Sequence, residues 1–458
     1  MNSVDNSTES PRAPQLAARL GLFDATMIVM GGIIGSGIFI NSYVVARQVH
    51  TPALILGAWV IGGVVALFGA FIYAELAARL PKAGGQYAYL REAYHPALAF
   101  LYGWALLLVI QTGGMAAVAV TFAKYLRVLV AVPLSDASVA AIVLAGLAII
   151  NCLGVRADSA VQSALMILKI LAIGALVVIG LTSAAPAASN VFSRPILDRP
   201  VSLDLLTAVG AALTPVLFAY GGWQTANFIA AEVREPSRNL PRALVLGVIG
   251  VILLYLAVNF VYVRVLGPSG LAASTTPATD VMQRALGAAG AKFIALGITI
   301  STLGFLSQCV LTAPRVYFAM AQDGLFFRSV AWVDPRHHVP AVAILLQAVA
   351  AMVIALAGRY EQILNYVVSM DFIFFGLTAT CLFVFRRRDS SSDKGHATPG
   401  QYRAPGHPYT TIVFIAISCF VVANTIYKYP GNTLAGMGIL LAGVPVYYIW
   451  KWRNAVRS

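Results

Sequence analysis

The chain has 458 residues, of which 59% are hydrophobic and only 11% charged, with a formal net charge of +13. Soluble domains carry roughly 25% charged residues, so this composition excludes a soluble protein and defines an integral membrane one. A basic balance of this size would suit nucleic acid, but the charges follow the loops of a membrane topology, which argues against that partner.

Residues 1–20 are polar and lack the apolar core of a cleavable signal peptide, which predicts a flexible tail. Apolar stretches of about 18 residues or more predict about 12 spans, near 22–46, 53–78, 97–125, 137–153, 159–183, 204–231, 242–266, 291–319, 340–357, 363–385, 409–427 and 433–450, the fourth and ninth being the weakest. An even number puts both termini on one side. The intervening loops carry about 20 Lys and Arg on that side and about 10 opposite. Arg386-Arg387-Arg388 and Arg453 fall on the richer side, so the termini are expected in the cytoplasm. Cys152, Cys309, Cys381 and Cys419 lie in or at the ends of spans and suggest no disulfide framework.

The first span opens with Asp24 near its N-terminus, where the helix dipole favours an acid. It then runs into Gly31 to Ile40, which holds Gly31, Gly32, Gly35, Ser36 and Gly37. Each interior glycine costs a helix about 0.5–1 kcal/mol relative to alanine, so a break is predicted. Backbone groups freed at membrane depth are tolerated only against protein or a watery cavity. After the second span, Pro81 and Gly84-Gly85 stop a helix, and a short amphipathic helix is expected before Tyr94. In the second and third spans Gly57, Gly62, Gly63 and Gly103 read as close-packing positions.

The fifth span carries Gln162 and Lys169 on one face. Lys169 lies about 10 residues, or about 15 Å, into its span. An unpaired Lys there costs at least about 2.5–3.5 kcal/mol, so it must face protein or water, with freed carbonyls and hydroxyls as partners. The sixth span is interrupted like the first, at Phe218-Ala219-Tyr220-Gly221-Gly222-Trp223. Interruptions at matching places in two halves point to a transported substrate's site. A polar elbow follows at Glu232 to Arg242. The external segment 267–292 is expected to hold a short helix near 277–286 that could act as a lid. Ser301, Gln308 and Thr312 share a face of the eighth span, ahead of Arg315, and the tenth carries Asn365 and Asp371. The Ser-rich stretch 389–400 reads as a mobile loop.

The two breaks stand about 185 positions apart, each opening a set of about five spans, which is the arrangement of an inverted repeat. The expected fold class is all-α and polytopic, with about 12 transmembrane helices in a five-plus-five inverted repeat. Its expected organisation is a cytoplasmic tail to residue 20, a transport core over 21–386 with repeats at 21–185 and 204–386, a cytoplasmic loop over 387–408, and two peripheral helices with a short tail over 409–458.

Several stretches together resemble the amino acid permeases of the amino acid, polyamine and organocation superfamily, particularly bacterial relatives of the L-type exchangers. They are Gly32-Ile33-Ile34-Gly35-Ser36-Gly37-Ile38-Phe39, Pro81-Lys82-Ala83-Gly84-Gly85-Gln86-Tyr87 with Glu92-Ala93-Tyr94, Lys169, Phe218 to Trp223, Glu232 with Pro236, and Pro314-Arg315-Val316-Tyr317. The resemblance implies the LeuT-like fold of sodium-coupled neurotransmitter transporters, with two added helices, and alternating access around an amino acid held between spans one and six. The N–H groups near Gly35, Ser36 and Gly37 would take the carboxylate; carbonyls of Ile33, Ile34, Phe218 and Ala219 would take the ammonium. The resemblance also assigns Phe218 as a gate and Lys169 to the place where sodium-dependent relatives hold the ion, reaching the eighth span near Ser301. The side-chain pocket would fall to Gly113, Gly114, Ser307 and Asp371. Asp371 departs from the Asn frequent there and has three readings: a contact for a polar or cationic substrate side chain, a proton-coupling acid, or a hydrogen-bonded packing residue.

No nucleophile, acid pair or metal cluster with suitable spacing supports an enzyme, and no metal or cofactor is expected. His337-His338 reads as solvated, and Trp104, Trp450 and Trp452 as interface anchors or packing. Arg315 and Glu232 read as helix-end charges able to pair in one conformation. A receptor would not need two broken helices. The expected function is sodium-independent carriage of L-amino acids across the plasma membrane, a bacterial inner membrane first. Exchange and proton symport both stay open, as do small neutral and cationic or polyamine substrates, in that order. Family members that bind a single-span glycoprotein do so through a Cys after span three. None lies between Arg127 and Asp136, so no such subunit is expected. The expected partners are the amino acid substrate and the lipid bilayer.

Overall fold

A computed structural model describes residues 20–82, 84–153, 159–183, 195–197, 199–336, 339–357, 360–391 and 402–455. The N-terminal tail to residue 19, His337-His338 and most of the Ser-rich loop lie outside them. The regular elements among the described residues are all helices, beside one isolated backbone pairing in which Leu20 N–H donates to Glu232 at 3.0 Å and Arg234 N–H to Leu20 at 2.8 Å.

Ten helical stretches are long and apolar enough to cross a membrane, and two more apolar helices have 17 residues each, Asp136–Cys152 and Ala341–Ala357. Seventeen residues rise about 25 Å, short of the roughly 30 Å hydrocarbon core. This is why the fourth and ninth spans read weakest.

The first span is two helices, α1 (Leu22–Ile33) and α2 (Gly37–Gln48). Asp24 starts α1 by accepting the Gly21 N–H at 3.0 Å. The second span is α3 (Pro52–Arg79), and the short helix α4 (Gln86–Ala93) follows it. The third span divides into α5 (Pro96–Ala105), a π-helical turn over Leu106–Ile110, and α6 (Gln111–Leu129). Then come α7 (Asp136–Cys152), α8 (Ser159–Thr182) and α9 (Leu203–Tyr220). Gly222 takes a left-handed turn at φ 102°, and the span resumes as a 3-10 segment, Trp223–Glu232.

The second half holds α10 (Pro236–Ala273), α11 (Pro277–Thr312), α12 (Pro314–Gln322), α13 (Ala341–Ala357) and α14 (Tyr360–Ser391). Gly287, at φ 65°, bends α11 and separates a short leading helix from the span, as expected near 277–286. Finally α15 (Tyr409–Lys428) and α16 (Pro430–Ala455) pack on the outside, against α14, α9 and α5.

Helices in lipid gain little from apolar burial against one another and associate through close packing, hydrogen bonds and small residues. A Cβ at Gly62 would stand 2.3 Å from Val216, and one at Gly103 2.0 Å from Met320. Both are packing positions, as is Gly63, which faces Ile252 at 3.1 Å. Gly57 meets nothing within 4 Å, which corrects its packing assignment. Gly62→Ala is therefore expected to destabilise the protein by about 1–3 kcal/mol through overpacking. Melting in detergent checks this, with Gly57→Ala leaving the midpoint where it was.

Candidate functional site

The two breaks meet. A Cβ at Gly32 would lie 2.7 Å from the Gly222 carbonyl oxygen, one at Gly222 2.0 Å from the Gly32 oxygen, and one at Gly37 2.6 Å from Ala219. Backbone passes against backbone at two places, Gly32 on Gly222 and Gly37 on Ala219, which only glycine permits. The glycine-rich run thus both interrupts the helix and lets the interrupted halves touch.

Between them lies a cavity of about 70 Å3. By water-sized volume that is room for about five to seven waters, comparable to the heavy atoms of a small amino acid. The breaks supply Ile33, Gly35, Ser36, Gly37, Phe218 and Ala219 to its wall. From α6, α11 and α14 come Gln111, Gly114, Phe305, Gln308, Cys309 and Asp371.

The cavity has two polar poles. Ser36, Gly37 and Ile38 open α2 ahead of its first intrahelical bonds, so their N–H groups have no helical acceptor, and the helix dipole adds positive potential there. The Ser36 hydroxyl is buried without a hydrogen-bond partner. Gly35 differs, because its N–H already donates to Ile33 at 2.8 Å. On the opposite pole, the Ile33 carbonyl also accepts from the Tyr255 hydroxyl at 3.1 Å, and Tyr255 reaches Ala219 at 3.2 Å. A carbonyl has two lone pairs, so Ile33 is fully engaged, while Ala219 keeps one. The Phe218 carbonyl accepts from Gly221 N–H at 3.2 Å and likewise keeps one. Tyr255, fully buried on α10, clasps both breaks, a role with no signal in the sequence beyond an aromatic within an apolar span.

Lys169 lies behind the first break. Its ammonium donates to the Ile34 carbonyl at 2.7 Å and is buried beside a second void of about 10 Å3, room for about one water. Ile34 is therefore turned away from the cavity toward Lys169. The hydrogen bond from α11 to α1 comes from Gln308, whose amide donates to Ile28 at 2.8 Å, while the buried Ser301 hydroxyl has no hydrogen-bond partner. Gln308 thus connects both voids.

Of the expected side-chain pocket, Gly114 and Asp371 line the cavity. Gly113 packs on Val367, at 2.5 Å from a Cβ built there, and Ser307 is not on the cavity wall. Sequence reasoning missed Gln111, Gln224, Thr225, Phe305 and Cys309. Gln111 follows the π turn, and such turns concentrate at functional sites.

Side-chain contacts tie the helices together on both sides of the cavity. On the face carrying Leu20, Trp223 stacks on Phe375 at 5.2 Å and meets Tyr73 edge-on at 4.7 Å. Beyond it Arg315 pairs with Glu232 at 3.2 Å, so these two helix-end charges do meet. Glu75 of α3 accepts from Arg386 of α14 at 2.6 Å and from Ala404 N–H at 2.7 Å. Nearby, burial and then the Arg386 charge lower the pKa of His407, whose ring pairs with Thr411 at 2.9 Å. On the other face Asn41 of α2 donates to Pro215 at 2.6 Å and Ser42 to Asn259 at 2.7 Å.

A bundle of apolar spans with two broken helices meeting at a cavity that carries polar groups at its two poles defines a membrane carrier for a small polar solute. The chain belongs to the amino acid permease family, whose match covers residues 20–449. It is 30% identical over 447 residues to the serine/threonine exchanger SteT of Bacillus subtilis (strain 168), spanning 96% of this chain and 98% of that one. It is also 30% identical over 449 residues to the human b(0,+)-type amino acid transporter 1, across 97% of this chain and 90% of that one. To human large neutral amino acids transporter small subunit 2 it is 28% identical over 452 residues, across 95% and 80%. The protein is an amino acid transporter and not an enzyme, and its fold is the LeuT-like one of its family.

Proposed function

We propose that the protein is a sodium-independent exchanger of small neutral L-amino acids that works by alternating access. The observation that carries this is the Lys169 ammonium on the Ile34 carbonyl, at the first break. A tethered cation there does for the freed backbone what a bound sodium ion would do. The Ser36 hydroxyl and the N–H groups of Ser36 and Gly37 serve the substrate carboxylate, with Gly35 shaping the wall. The remaining lone pairs of Phe218 and Ala219 serve the ammonium, and Phe218 closes over it. The core over 21–386 carries the cycle, the two helices from Tyr409 to Ala455 buttress it, and the Lys and Arg bias supports cytoplasmic termini, in a bacterial inner membrane first. No disulfide-linked subunit is needed, since the 127–136 loop has no Cys.

Purified protein in proteoliposomes is expected to take up labelled alanine or serine in sodium-free buffer, and only when the lumen is loaded with amino acid. Uptake that requires sodium would remove the assigned role of Lys169. A second reading, proton symport, is favoured by Asp371 on the cavity wall. Uptake driven by a proton gradient into empty vesicles would select it.

A further inference from the structure

On the face carrying Leu20 several arginines are already engaged. Arg79 and Arg386 serve Glu75, Arg315 serves Glu232, and Arg91 of α4 pairs with Asp323 just past the end of α12. One corner of that face differs. Arg328 opens the 3-10 turn Arg328–Ala331, while Lys451 and Arg453 lie near the end of α16. All three side chains are exposed, and none has a hydrogen bond or ion pair among the described residues. Asp323, five positions before Arg328, is taken by Arg91 and by the Tyr87 hydroxyl.

Rings join the two segments that carry these cations. Phe327 meets Trp450 edge-on at 4.5 Å, and Trp450 stacks on Phe326 at 6.3 Å. Arg328 therefore follows one ring of the contact and Lys451 the other. Arg453, three residues past Trp450, falls on its side of the helix.

The outer surface of α16 is ordered like half a bilayer. Leu441, Val444 and Tyr448 are exposed at helical spacing and form one apolar stripe. Lys451 and Trp452 continue the stripe at its end, where charge and indole replace hydrocarbon. Trp332, four residues past Arg328, is also half-exposed, and indoles favour the level of lipid headgroups. A soluble anion would use the cations and leave the stripe idle. A phospholipid of net negative charge uses both, whereas a zwitterionic one brings its own cation against them.

We propose that this corner binds an anionic phospholipid from the leaflet on that side. Its phosphodiester lies among Arg328, Lys451 and Arg453, and one acyl chain runs along Leu441, Val444 and Tyr448. The lipid bears on the core through α16, because Trp104 of α5 donates to the Ile439 carbonyl at 2.8 Å and a Cβ at Gly443 would stand 2.8 Å from that ring.

The test uses the tryptophans themselves. Trp332, Trp450 and Trp452 are three of the six in the chain, and the buried Trp59 and Trp223 are shielded from lipid. The full-length protein is reconstituted in phosphatidylcholine vesicles containing phosphatidylglycerol or phosphatidylcholine brominated on its acyl chains, at equal mole fraction, and quenching of indole fluorescence is read. Brominated phosphatidylglycerol is expected to quench at mole fractions about tenfold lower. The paired variant Arg328→Gln, Lys451→Gln is expected to lose most of that preference, each charge near an anionic surface being worth about fivefold. Arg242→Gln, which removes an exposed cation on α10, is expected to keep it. Equal quenching by the two lipids in the wild type overturns the proposal whatever the variants do. An equal loss in Arg242→Gln also overturns it, since the whole face would then attract anions without a site. Inorganic phosphate that abolishes the preference, where chloride of the same ionic strength does not, assigns the corner to a free anion and overturns the lipid.

Discussion

Lys169→Ala is expected to leave the protein folded and to cut amino acid exchange by about tenfold or more. The ammonium holds the Ile34 carbonyl at 2.7 Å, and a hydrogen bond to a charged group contributes about 1.5–3 kcal/mol. That bond fixes the direction of the backbone between α1 and α2, and so the aim of the Ser36 and Gly37 N–H groups. For stability the loss is offset, because burying the cation costs at least about 2.5–3.5 kcal/mol. Function should therefore fall further than stability. Exchange rates in proteoliposomes, read beside melting curves in detergent, separate the two; unchanged kinetics would show that Lys169 is only packed there.

The largest loss of stability is expected for Glu75→Ala. Glu75 is fully buried and accepts from Arg79 Nε at 3.0 Å, Arg386 Nε at 2.9 Å, Arg386 Nη2 at 2.6 Å and Ala404 N–H at 2.7 Å. Arg79 pairs in addition with Asp389. The carboxylate thus ties α3, α14 and the approach to α15 together at one point. Removing it leaves Arg386 and a backbone N–H unmatched and Arg79 with Asp389 alone, and breaking a buried pair from one side costs about 3–5 kcal/mol. Melting midpoints in detergent should fall more for Glu75→Ala than for Gly62→Ala. A double-mutant cycle with Arg386→Ala should show strong coupling, and additive losses would mean that the pair acts independently.

The Gly31–Ile40 break was legible because glycine is costly in a helix whatever surrounds it. What the glycines touch was not, since Gly57 and Gly62 look alike in sequence and only one meets a neighbour. Lys169 was legible from depth alone, and a freed carbonyl as its partner followed from the break, but which carbonyl did not. Ser301 and Gln308 are seven residues apart on one helical face, and periodicity cannot say which of them reaches α1. The π turn at Leu106–Ile110 has no compositional mark, because an apolar run winds either way and packing decides. Tyr255 was hidden for the same reason. Asp371 was visible as a charge inside a span and was expected in the pocket from the family resemblance, as were Gly113 and Ser307, which the fold leaves off the wall.

A native probe of the substrate's position lies in the wall itself. Cys309 lines the cavity, while Cys152, Cys381 and Cys419 do not. In a chain whose other three cysteines are replaced, alkylation of Cys309 by a small thiol reagent can be timed with and without exchanged amino acids. Saturating alanine is expected to slow the reaction severalfold, and propionate, which lacks the α-ammonium, to leave it unchanged. Alkylation at the same rate with and without alanine, in protein that exchanges alanine, would contradict a substrate held between the two breaks.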